Sequence, residues 1–184
     1  MGKVDVAPEV FSMVDFHGPA IAEVVGEVAD LIGLPDDVDV RVEIDEASPF
    51  GRSEIAVDGR QVRITAEGGA IEDPHRLRQF SPPDSRLVFG RLLLKAKDRL
   101  DPAFGAAPPD RELELAQHVA WDTYAVGRYA ALAGVDGGQA RRRYAFRLRV
   151  GFTDTADRAF DRLWTASGLT WADLQAALAE ARMP

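Results

Sequence analysis

Between Val38 and Asp45 the chain reads VDVRVEID, with Val38, Val40, Val42 and Ile44 alternating strictly with Asp39, Arg41, Glu43 and Asp45. A period of two places all four aliphatic side chains on one side of an extended strand and every charge on the other. Such a strand needs neighbours for its backbone groups and a cover for its apolar face. The next stretch supplies neighbours. EIAVDGRQVRIT predicts two strands joined at Asp58-Gly59, a pair suited to a two-residue turn, with Ile55, Val57, Val62 and Ile64 on a common face. A three-stranded sheet over about residues 38–66, antiparallel or mixed, is the expectation.

Helices supply the cover. In HGPAIAEVVGEVADLIGLP, Ile21, Val24, Val25, Val28, Leu31 and Ile32 recur at helical spacing, Pro19 suits a first turn, and Gly33 and Pro35 stop the run. Residues 68–84 carry five glycines and prolines in an otherwise polar stretch and predict irregular chain. SRLVFGRLLLKAKDRL then predicts a broadly apolar helix ended at Asp101-Pro102, and a long helix is expected from Asp110 to Gly134. Two short helices follow, one capped at Thr153 or Asp154, the other opening on Thr170 with Asp173 as a capping box. The fold class is therefore α+β. The expectation is a single domain over 1–184, with a helix and sheet in 1–80 packed on a mostly helical portion in 81–184.

Composition removes several functions. The 184 residues contain no cysteine, which excludes disulfides, thiolate metal sites and cysteine nucleophiles. No apolar run approaches membrane-spanning length and the start MGKVDVAPEVF has no signal-peptide core, so no membrane association and a cytoplasmic location are expected. The sequence also lacks GxxxxGK[ST], GxGxxG after a strand, HExxH, GxSxG and an EF-hand loop, which leaves no recognisable catalytic centre and no implied cofactor.

Three histidines stand at 17, 75 and 118, and only His118 has suggestive company: Glu114, His118 and Asp122 are four apart and line one helical stripe. That spacing suits a divalent metal or a histidine general base as well as it suits a solvated face with weak pairs. Gly68-Gly69 reads as a phosphate cradle or as a turn. The order helix, three strands, long helix resembles the topology of zincin-like metallopeptidases. That resemblance implies two zinc-binding histidines four residues apart on the helix after the sheet, and RLVFGRLLLKAKDRL has none, so it implies at most an inactive metallopeptidase-like domain.

QARRRYAFRLRV, residues 139–150, holds five arginines in a chain of net charge -8. The N-terminal 46 residues hold twelve acidic and two basic side chains, so the molecule is electrically lopsided. Tyr144, Phe146, Leu148, Val150 and Phe152 alternate with Arg143, Arg147 and Arg149, a period of two that predicts a strand with a basic outer face. Around it, YAALAGVDGGQARRRY resembles the turn of helix-turn-helix DNA-binding proteins, with Ala130, Gly134, Val135 and Ala140 in matching positions. It departs from them at Arg143, where such proteins bury an aliphatic residue. Arg141, Arg142, Arg143, Arg147 and Arg149 are the candidate partner-binding residues. An acidic protein partner, nucleic acid, or the acidic segment of the same chain or of a homo-oligomer would each suit them. The expected function is a non-catalytic interaction or accessory protein; the alternatives are a nucleic-acid-associated regulator with a degenerate helix-turn-helix around 126–144 and a divalent-metal hydrolase.

Overall fold

The computed structural model describes residues 2–182, and the chain divides into two compact units, 1–100 and 101–184. In the first unit the order is β1 (Val4–Ala7), α1 (Gly18–Ile32), β2 (Asp39–Asp45), β3 (Ser53–Asp58), β4 (Gln61–Glu67), β5 (Glu72–Asp73), β6 (Arg76–Phe80) and α2 (Pro82–Leu100). The sheet has four strands in the order β1-β2-β4-β3, the first three parallel and β3 antiparallel to β4. Val38 precedes the strand it was expected to open. The hairpin forms, but its two-residue loop is Gly59-Arg60, one position later than expected: Asp58 stays in β3 opposite Gln61, and only Gly59, at φ 55°, takes a positive φ. Ile55 lies opposite Ile64 and Val57 opposite Val62, on the common face that was expected.

Alternation decides which face is covered. Val40, Val42, Ile44, Val62, Ile64 and Ala66 are buried, while Asp39, Arg41, Asp45, Arg63 and Thr65 point to solvent. On the covered side α1 packs against β1, α2 against β3, and the two helices against each other. Gly33 in the left-handed region closes α1, its N–H reaching the carbonyls of Ala29 and Asp30. Lys97 Nζ adds a cation there, 2.6 Å from the Ile32 carbonyl.

Three elements differ from expectation. β1 adds a fourth strand: its four residues gain their place by pairing with β2 rather than by any length of pattern. The stretch expected to be irregular contains the β5-β6 hairpin, and α2 begins at Pro82, its first turn held by Ser81, whose Oγ lies 2.6 Å from an Asp84 carboxylate oxygen. Two prolines in a first turn need no N–H donors, so they permit the start they seemed to forbid.

The second unit is helical: α3 (Leu115–Ala133), α4 (Gln139–Val150), α5 (Asp154–Thr165) and α6 (Trp171–Ala181). Its core gathers Trp121, Tyr124, Phe146, Phe160, Leu163, Leu174 and Leu178, with Phe104 stacked on Trp121 at 5.1 Å between centroids. The Tyr124 hydroxyl accepts a 2.9 Å hydrogen bond from Leu169 N–H. Trp121, Tyr124 and Tyr129 are all buried packing residues. Asp110 starts only a short 3-10 turn; α3 starts five residues later under a capping box of Glu114 and Gln117. Thr153 and the Thr170-Asp173 box cap α5 and α6 as expected. Among the described residues no helix is long and apolar enough to cross a membrane.

Candidate functional site

Residues 139–150 are a helix, not the strand that their alternation predicts. On a helix, residues four apart nearly eclipse and residues two apart lie on opposite sides. Tyr144 and Leu148 therefore form one stripe, and Phe146 and Val150 another across the cylinder; interleaved, two apolar faces imitate a period of two. Phe146 is fully buried, at 5.8 Å from the Phe160 ring, whereas Tyr144 and Leu148 are 57% and 54% exposed. Phe152 folds back to meet Tyr144 edge-on at 6.0 Å and is itself 62% exposed.

The turn before α4 is set by glycines. Gly137 has φ 64° and lies so close to Ala130, Val126 and Trp164 that a Cβ would come within 3.0 to 3.2 Å of their side chains. Asp136 accepts from Gly138 N–H at 2.9 Å. At the other end Gly151 donates to the Arg147 carbonyl, and Thr153 starts α5 at once, so α4 and α5 run as an antiparallel hairpin.

That hairpin sorts the five arginines. Arg147 grips Asp157 with two bonds, Nε to Oδ1 at 2.7 Å and Nη2 to Oδ2 at 2.5 Å. Arg143, one turn earlier, pairs with Asp161, one turn later, and its guanidinium lies 4.4 Å over the Phe160 ring. The Arg147 hydrogen bond, with the charge of Arg143 behind it, holds the Asp157 carboxyl below the ordinary aspartate range, and both guanidiniums are raised by the same pairings. Arg142 Nε donates to the Gly137 carbonyl at 3.1 Å. Arg141 and Arg149 are exposed and make no ion pair or hydrogen bond among the described residues. They flank the outward stripe.

The helix-turn-helix expectation meets the same geometry. α3, a glycine turn and α4 do occur in order, but Arg143 faces the α5 carboxylates rather than outward. For the metal alternative, Glu114 is spent on the α3 cap and lies 3.6 Å from Arg182, while His118 is half-buried. No group of three histidine, aspartate or glutamate side chains among the described residues is placed to hold a metal ion.

In the first unit a cleft of about 440 Å³ opens among the loops that follow the carboxyl ends of β1, β2 and β4, the place where open α/β sheets commonly take ligands. Its walls include Met13, Glu46, Glu72, Asp73, Leu77 and Arg78. Glu46 accepts from Ser12 and Met13 N–H at 2.8 and 2.7 Å and from the Ser12 hydroxyl at 3.0 Å, which pins the loop after β1 and lowers the carboxyl's pKa. Arg78 sits at φ 62°, held by its N–H to Glu72, its carbonyl to Asp15 N–H, and its guanidinium to the Met13 carbonyl at 3.0 Å. Gly69 serves packing: a Cβ there would lie 2.1 Å from the Pro49 carbonyl oxygen. A close approach of two loops explains Gly68-Gly69 without a phosphate. Sequence reading missed this cleft because its residues come from three separate loops, and no single spacing joins them.

No family model, curated protein or solved structure matches the chain.

Proposed function

We propose that this protein is a non-catalytic interaction or accessory protein that binds an acidic protein partner through the outer face of α4. The observation that carries the reading is the stripe of Tyr144, Leu148 and Phe152, each more than half exposed, together with Arg141 and Arg149, which make no ion pair among the described residues. Side chains of this size, so exposed, present roughly 300 Å² of apolar surface, an area that on a monomer often marks an interaction site. Aromatic residues and arginine are also the side chains that concentrate binding energy at interfaces. Arg143 and Arg147 support the face from behind by fixing α4 against α5.

The test uses a fluorescent amphipathic peptide with glutamates flanking leucine and phenylalanine at helical spacing, and its lysine counterpart. The acidic peptide binds, the basic one does not, and Arg141→Glu with Arg149→Glu weakens binding at least tenfold at low salt without changing the melting temperature. Equal binding of the two peptides, or of wild type and variant, overturns the reading. Duplex DNA is the contrasting ligand: binding tighter than the acidic peptide and lost in the same variant assigns the face to nucleic acid instead.

A further inference from the structure

We propose that the cleft of the first unit is the seat for α4 of a second copy of the chain, so that copies associate head to tail. This rests on the reading of α4 as a docking face and names its partner. The two surfaces are complementary in charge. The cleft carries three carboxylates, Glu46, Glu72 and Asp73, against the single guanidinium of Arg78. Its lip is apolar, with Leu77 83% and Met13 46% exposed. The α4 face carries the opposite charge: Arg141 and Arg149 stand beside the exposed Tyr144, Leu148 and Phe152, with no acid from Arg141 to Arg149. A cleft of about 440 Å³ is of the size that takes one or two large side chains, and an aromatic residue beside an arginine is the usual anchor of such a pocket. The alternative self-contact, α4 against α4 across a two-fold axis, would bring Arg141 and Arg149 of both copies together without a carboxylate on the face to offset them, and like charges there oppose it.

A contact between two different patches has a diagnostic consequence, because a pair of copies keeps one free cleft and one free α4 face. Sedimentation velocity on the full chain measures it, comparing wild type, Leu148→Gln with Arg149→Gln, and Met13→Gln with Leu77→Gln. Wild type associates as concentration rises, and added salt weakens the association. Either variant alone is at least tenfold weaker, with an unchanged melting temperature. An equimolar mixture of the two recovers a one-to-one dimer and nothing larger, since the mixture holds one intact cleft facing one intact α4. Wild type that stays monomeric at all concentrations overturns the proposal, as does a mixture that fails to recover the dimer. The acidic-peptide titration separates the two levels. If the peptide still binds and Arg141→Glu with Arg149→Glu still abolishes its binding, the docking face stands and only its partner was misassigned; if the peptide does not bind either, both fall.

Discussion

Replacing Gly127 with alanine is expected to destabilise the second unit by about 3 kcal/mol, although alanine is the better helix former. In an exposed helix the exchange would stabilise by about 1 kcal/mol. Gly127 lies in the middle of α3, where α5 passes so close that a Cβ would sit 2.1 Å from the Trp164 carbonyl oxygen and 2.8 Å from its carbon. These are backbone atoms at the last turn of α5, and no rotamer change relieves the clash. Either α5 moves outward, opening the contact of Trp164 with Phe160, or α3 bends; overpacking of this sort typically costs 1–3 kcal/mol, and a clash with backbone lies at the upper end. All three tryptophans, at 121, 164 and 171, lie in the second unit, so tryptophan fluorescence during urea denaturation follows that unit. A midpoint that rises in Gly127→Ala would show that the helices do not approach so closely.

Phe146→Ala is expected to cost 3–5 kcal/mol in the same assay, and Leu148→Ala less than about 0.5 kcal/mol. Phe146 is the sole fully buried side chain of α4 and joins Phe160 in the core, so its removal leaves a cavity and an unsupported helix. Leu148 touches mostly solvent. Two residues apart, both apolar and nearly equal in hydrophobicity, they would share a face in a strand and lose similar stability. The asymmetry is what a helix requires. It also separates folding from docking: Leu148→Ala leaves the unit folded while removing the centre of the proposed interaction face.

The parts of the fold that were legible in the sequence are those where one face is polar and the other is not. VDVRVEID and the hairpin after it, its turn one residue later than Asp58-Gly59, follow from a period of two with one solvated side, and α1 follows from a single apolar stripe between a proline and a glycine. β1 was hidden because four residues carry too little pattern, and the cleft because it is assembled from three loops. Residues 139–150 misled for a different reason. A helix with one apolar face buried and another exposed gives the alternation of a strand, and the exposed face follows no folding requirement. The arginine spacing held the correcting signal: Arg143 and Arg147 are four apart, Asp157 and Asp161 are four apart, and Gly151 lies between them, the pattern of two helices folded back on each other.

A chain without cysteine permits a direct measurement of that face. Single cysteines placed at 144, 146, 148 and 150 are labelled by a thiol reagent in the folded protein, and their rates are compared with those in denaturant. Positions 144 and 148 react within a few fold of the unfolded chain, while 146 is protected by at least a hundredfold and 150 falls between. Equal rates at 144, 146 and 148 would contradict the two-faced helix and, with it, the docking surface built on its outer side.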